Sequence, residues 1–410
     1  MTSIQKKSRP LVILIIITRG YAQPRSFEPD QKKLHSISFF QFFQPVKNVI
    51  PQTPVLVSRG DRPLQMTIED QLKILVFYHL EEHVSARHML QVLEQDDFAR
   101  ENIAPQDGIK KSSFSEAINS RGLEQLQIIF EKLSQKASRI LPNRHTELGN
   151  LVGLDGSLIT ATLGMHWADY RKGSKKAKIH LGFDLNHAIP SKIFFTDGKG
   201  AERPFVDPII SSGQTVVADR GYQKHTLFDS LQTDGKSFVI RIKAKTTKTV
   251  VQKNETKVDS IVFYDAEVRL GTEGNKNQSQ TPVRLVGYHV GNADYWIATD
   301  RRDLTAEQIA EIYKLRWNIE NFFAWWKRHL RVYHLIARSP YGLMVQILSG
   351  LITYLLLAIH CHENHGEPVT IKRVRELRLQ IQNELRASGG WDTEPNIFKE
   401  QNQQQVQAKT

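Results

Sequence analysis

Cysteine is almost absent: Cys361 stands alone among 410 residues. That excludes an intramolecular disulfide framework and a zinc ribbon, and it suits a reducing cytoplasm, bacterial cytoplasm or nucleoid being the expected setting. No internal repeat is visible. Long uninterrupted apolar runs are missing too. The most apolar stretch, LMVQILSGLITYLLLAIH, is broken by Gln346, Ser349, Gly350 and Thr353, so a core helix is expected rather than a membrane span. Acidic residues are short of basic ones, 43 against 55, and the formal net charge of +12 suits a polyanionic partner such as nucleic acid. Near the start, Lys6, Lys7 and Arg9 lead into LVILIIIT from Leu11 to Thr18, which has the look of a signal peptide. The run is too short to cross a bilayer, Arg19 follows it directly, and no small-residue cleavage site is evident. An extension outside the fold is expected there.

Four segments follow from the texture of the chain. Residues 1–62 form a poorly defined N-terminal extension containing the aromatic-rich SFFQFFQPVKNVIPQTPVLV, which has no obvious assignment. Residues 63–145 read as short helices joined by polar turns. Lys110, Lys111, Ser112, Ser113, Asn119, Ser120 and Arg121 lie near one junction, compatible with a helix-turn-helix DNA reader or with a plain bundle bearing a basic turn. Near Leu148 the pattern turns strand-like: NLVGLDGSLI, LITATLGMHW, AKIHLGFDL, SKIFFTDG, TVVADRGY and KSFVIRIKA alternate with helical pieces, as expected of an α/β domain with a mixed sheet over residues 146–360. A β-rich insertion is expected at about 243–300. Residues 361–410 form a tail, Gln-, Asn- and Glu-rich from Gln380 and expected to be partly disordered.

The stretch Thr305–Leu330 reads as one helix: neither Pro nor Gly interrupts it, and Thr305 with Gln308 has the form of a capping box. Ile312, Leu315, Ile319, Phe322, Phe323, Trp326 and Leu330 fall on one apolar face. Along one edge of that face lie Tyr313, Arg316, Glu320 and Lys327. By itself this edge reads as a solvated shoulder with an Arg316–Glu320 pair.

Two acids change its meaning. Asp155 follows the apolar LVGL, and Asp219 follows TVVA; an Asp at the end of a buried strand is held by packing and offered at a rim. Each alone is most simply a turn cap, and Asp184, Asp197, Asp207 and Asp300 have similar settings. With Glu320 as a third acid, the set would suit two divalent ions about 4 Å apart. Tyr313, Arg316 and Lys327 are donors of the kind that hold phosphate oxygens. The basic run RKGSKKAK, from Arg171 to Lys178 and including Lys175 and Lys176, is either a solvated hairpin or a track for phosphates. HCHENH, from His360 to His365, lacks a partner cluster and is a poor zinc site.

The spacing Tyr313, Arg316, Glu320, Lys327 resembles the Tyr-Arg-Glu-Lys signature of DDE transposases of the insertion-sequence-four type. DGS at Asp155 and DRGY at Asp219 resemble that family's two upstream motifs, in order. The resemblance covers roughly Glu147 to Leu357. It implies a ribonuclease-H-like catalytic core interrupted by the β-rich insertion and preceded by a helical N-terminal domain. It implies that Asp155, Asp219 and Glu320 bind two Mg²⁺ or Mn²⁺ ions and catalyse cleavage at element ends, followed by joining of the 3′-OH to target DNA. Tyr313, Arg316, Lys327 and Arg220 would contact DNA, and an aromatic of the insertion, with Trp296 in the right region, would hold a flipped base. The partners implied are element-end and target DNA bound by a homodimer, with no membrane. The alternatives are a domesticated or inactive transposase-like DNA-binding protein, and a metal-dependent nuclease of the same fold.

Overall fold

The computed structural model describes residues 39–57, 64–162 and 164–387; the apolar run near the start and the end of the Gln-rich tail lie outside them. Five helices come first: α1 (Phe39–Lys47), α2 (Ile68–Leu80), α3 (Ala86–Gln95), α4 (Lys111–Ser120) and α5 (Leu123–Ile140). The strands follow: β1 (Asn150–Ala161), β2 (Asp169–Arg171), β3 (Ser174–Asp184), β4 (Ile189–Asp197), and, after the short helix α6 (Val206–Ile209), β5 (Gln214–Ala218). Helix α7 (His225–Thr233) leads to β6 (Ser237–Arg241), β7 (Lys248–Lys253), β8 (Val262–Leu270), β9 (Val283–Val290) and β10 (Ala293–Thr299). The chain closes with α8 (Ala306–Leu315), α9 (Trp317–His329), α10 (Pro340–His365) and α11 (Ile371–Ala387).

The strands make one mixed sheet, ordered β2-β3-β1-β5-β6-β10-β9-β8-β7, with β4 also on β3. β1, β5 and β6 run parallel; β3 against β1, β4 against β3 and β10 against β6 run antiparallel. This is an α/β, ribonuclease-H-like arrangement with a helical N-terminal region. The β-rich segment is joined to it edge to edge through the β6–β10 pairing.

Alternation along the strands assigns each residue a face. Val152, Leu154, Val216 and Ala218 pack with Ile209, Phe228 and Leu231 under α6 and α7. Leu151, Ile159, Val217 and Val239 belong to the larger core with α8, α9 and α10. By the same parity Asp155 and Asp219 point to the α8–α9 side.

Helix α10 is the pillar of that core. It is long and apolar enough to cross a membrane by length and composition, yet 89% of its most apolar window is buried inside the protein. The aromatic segment that had no assignment forms α1, which buries Phe39, Phe42, Phe43 and Val46. The tail also departs from expectation: α11 runs past Gln380 to Ala387, because Val374, Leu377 and Ile381 give it a buried stripe.

His79, fully buried, ties three helices together. Its Nδ1 donates to Leu330 O at 2.6 Å, and its Nε2 lies 3.1 Å from Ser349 Oγ. Burial holds its pKa down from 6.5 to about 4. The unfolded chain therefore binds the extra proton between those values, so this stability is complete above pH 6.5 and is lost as pH falls toward 4. His83, His180 and His360, depressed by burial in the same way, add to the same slope. Urea midpoints measured from pH 7.5 down to 4.5 are expected to fall steeply. His79→Gln is expected to flatten that fall by on the order of 3 kcal/mol; a slope unchanged by the substitution would contradict the assignment.

Candidate active site

One half of the site is set by β1 and β5. They pair in parallel from Asn150↔Gln214 to Leu154↔Ala218, so Asp155 and Asp219 are the next residues on two adjacent strands. Asp155 accepts from the Gly156 N–H at 2.8 Å, and Asp219 caps a short turn by accepting from the Gly221 N–H at 2.8 Å. The Asp155 carboxyl is pushed up to about 7, chiefly by burial. The Gly156 N–H and the Arg316 guanidinium oppose that shift; Asp219 and Glu202 add to it. The donors gathered here are carboxylate oxygens, which suit a hard divalent cation.

The α8–α9 stretch corrects the expectation of one helix. The chain breaks at Arg316, which closes α8 and opens α9 while keeping helical torsions of φ −51°, ψ −31°. Its N–H bonds to Tyr313 O at 3.2 Å, and the Ile319 N–H bonds to Arg316 O at 3.2 Å, so the ladder tightens locally to three-residue spacing. Nothing in the composition marks this. The capping box at Thr305 and Gln308 is present as expected. Ile312, Ile319, Phe322, Phe323, Trp326 and Leu330 are buried, and Leu315 is half-buried.

The polar edge is less exposed than a solvated shoulder. Arg316 Nη1 donates to Glu320 Oε1 at 2.6 Å, with Arg316 largely covered. Tyr313 is buried. Lys327 is buried as well: its Nζ donates to Ser157 Oγ and, at 2.9 Å, to Leu158 O, so it fastens α9 to the strand that carries Asp155. Burial pulls its pKa down to about 8, with Lys176 adding to the fall and Asp155 opposing it. Among the described residues no three acidic, His or Cys side chains converge on one ion position. Glu320 is held by Arg316 instead.

The remaining predicted residues are spread out. Arg220 is exposed in the turn after Asp219. Lys175 and Lys176 lie on the β2–β3 hairpin, Lys175 bonded to Asp169 at 2.6 Å and Lys176 over the Tyr170 ring at 4.9 Å. Trp296 packs with Phe263, Tyr264 and Lys248 on the α6–α7 face of the sheet. Strand parity instead gives the α8–α9 face to Tyr295, whose ring lies 6.0 Å from that of Tyr313 and 4.0 Å from the Arg241 guanidinium. Arg241 and Tyr295 carry no motif; only knowing which face β10 turns inward could have found them. The competing acids serve structure: Asp300 accepts from the Phe238 N–H at 2.8 Å, and Asp184 from the Asn186 N–H at 2.9 Å. His360 meets Phe42 edge to face and bonds Asn364.

Because the folded-state pKa of Asp155 is raised, its linked stability is complete below 3.8 and is lost as pH rises through about 7. Asp155→Asn is therefore expected to be more stable than the wild type at pH 8 by roughly 2 kcal/mol without metal. Urea denaturation at pH 8 checks this, and excess Mg²⁺ should shrink the gap. Equal stability at pH 8 would contradict the burial of an uncompensated charge.

Residues 149–356 match a family model described as the transposase DDE domain. A putative transposase, y4zB, of Sinorhizobium fredii (strain NBRC 101917 / NGR234) is 29% identical over 206 residues, 48% of this chain and 57% of that protein. A putative transposase for insertion sequence element IS4SA of Synechocystis sp. (strain ATCC 27184 / PCC 6803 / Kazusa) is 26% identical over 278 residues, 65% and 76% of the two chains. A probable transposase for element IS5377 of Geobacillus stearothermophilus is 28% identical over 206 residues, 48% and 54%. In the first and third cases the match spans little more than half of the relative. Among solved structures, the cryo-EM piggyBac transposase synaptic complex with hairpin DNA aligns over 87% of this chain and 80% of that one, with 12% identity and a TM-score of 0.42.

Proposed function

Because the chain belongs to the transposase DDE-domain family, whose model covers residues 149–356, we propose that it is a cut-and-paste transposase of the insertion-sequence-four type. Its substrates are the terminal repeats of its own element and a target DNA, bridged by a homodimer in the bacterial cytoplasm or nucleoid. One observation carries the reading: Asp155 within β1 and Asp219 just after β5 stand side by side where the parallel β1–β5 pairing stops, on one sheet face, with the Arg316–Glu320 pair on the helices over that face.

Asp155, Asp219 and Glu320 would hold Mg²⁺ or Mn²⁺. Ions held there would activate an attacking water or 3′-OH oxygen and stabilise the leaving 3′ oxygen. The protein's own groups do the positioning. Arg316 is a bidentate phosphate donor now occupied by Glu320. A DNA phosphate that took the guanidinium would free the Glu320 carboxylate to act as a ligand. Arg241, Tyr295 and Tyr313 extend the cationic and aromatic row beside it, and Tyr295 rather than Trp296 is the ring of the insertion suited to stacking on a base. Lys327 acts by keeping β1 fixed against α9, whereas Lys175, Lys176 and Arg220 lie nearer solvent and suit backbone contacts.

Purified protein with Mg²⁺ is expected to cut plasmid at the element's terminal repeats. Glu320→Gln should retain binding in a gel-shift assay and lose cutting. Cutting that persists in this variant, or that needs no divalent metal, would remove Glu320 from its role. A short duplication of target sequence flanking genomic copies separates a transposase from a nuclease of the same fold.

A further inference from the structure

Strand β1 runs on past the end of its parallel neighbour. The β1–β5 register closes at Leu154↔Ala218, while β1 continues to Ala161. The sheet therefore has a notch beside Asp155 that both of its faces can reach. From the α9 side come Asp155 and Asp219. From the α6 side comes Glu202, which nothing in the sequence marked.

The Glu202 carboxylate occupies the space that a side chain at position 156 would fill. A Cβ on Gly156 would lie 2.7 Å from Glu202 Oε1 and 3.0 Å from its Cδ. Gly156 has no left-handed torsion to explain it, so the glycine of the DGS motif serves this close approach. Lys178 Nζ, 3.2 Å from Oε1, is the present counterion. Tyr222, from the DRGY motif, is 1% exposed, and its hydroxyl lies against the Glu202 carboxylate, short of full hydrogen-bond geometry. The charges of Glu202, Asp155 and Asp219 all bear on it.

We propose that Glu202 is a fourth carboxylate of the active site, swinging from Lys178 to the divalent ion held by Asp155, with the Tyr222 hydroxyl donating to it. The proposal rests on the metal-dependent reading above. In the metal-free protein Asp155 and Glu202 repel across Gly156; an ion between them converts the repulsion into ligation. Lys178 is a resting-state counterion that the ion displaces.

Binding of Mn²⁺ to the full chain, measured by electron paramagnetic resonance with and without element-end DNA, tests this. The wild type is expected to bind, and Asp155→Asn to lose binding. Glu202→Gln is expected to weaken affinity roughly tenfold or more. Gly156→Ala keeps every carboxylate but pushes Glu202 aside, and is expected to weaken affinity similarly. Lys178→Met should leave affinity unchanged or tighter, because only a competitor is lost. If Glu202→Gln and Gly156→Ala bind Mn²⁺ like the wild type while Asp155→Asn does not, the proposal falls and the metal-dependent reading stands. If Lys178→Met weakens binding as much as Glu202→Gln, Glu202 serves only its ion pair and the proposal falls. A wild type that binds no Mn²⁺ in either condition overturns both.

Discussion

The half-buried acid pair where β5 stops, Asp155 and Asp219, is the constraint to which the rest of the molecule answers. Asp155 sits on a strand fixed on both faces by apolar packing, so the backbone that carries its carboxylate is held in place. Asp219 follows on the neighbouring strand, and Glu202 closes in through Gly156. Cationic groups then gather around them: Arg316 over the acids from α9, Lys178 beside Glu202, and Lys327 behind Ser157. Each compensates part of the charge, and burial is the chief reason the Asp155 carboxyl still titrates well above the usual carboxylate range.

Stability and chemistry are joined through the same elements. The apolar face of α9 packs Ile319, Phe322, Phe323 and Trp326 into the core shared with α10. That packing orients Glu320 and Arg316. Lys327 adds a polar fastening to β1, and its burial explains why a basic residue belongs there without reaching solvent. His79 in turn binds the end of this helical stretch to α10 from the far side, so the N-terminal helices brace the helix that carries Glu320. The N-terminal helices share one core with the sheet.

The parts of this picture that were legible in the sequence are those governed by local pattern. A buried strand ending at Asp219, a capping box at Thr305 and an apolar stripe from Ile312 to Leu330 follow from short-range periodicity and emerged where expected, whereas Asp155 lies within β1, which continues to Ala161 through its pairing with β3. The illegible parts are set by groups far apart in the chain. The break at Arg316 lacks Gly or Pro and comes from three-residue hydrogen bonding. Whether Tyr295 or Trp296 faces the acids depends on a single residue of register between β10 and β6. Glu202 sits in GKGAERPF with no local sign of its role; only the missing Cβ of Gly156, in a different strand, gives it a place. The depth of Lys327 was hidden for the same reason, because a lysine on the edge of an amphipathic helix reads as solvated until its partners Ser157 and Leu158 are known.

The central claim is that the notch beside Asp155 is a divalent-metal site assembled from side chains that now hold each other. Anomalous scattering from crystals of the protein bound to its element-end DNA and Mn²⁺ tests it most directly. The account predicts manganese between the carboxylates of Asp155 and Asp219, with Glu320 turned away from Arg316 and Arg316 on a DNA phosphate. Crystals with DNA seated over α9 but no manganese at Asp155, and with the Arg316–Glu320 pair intact, would contradict it.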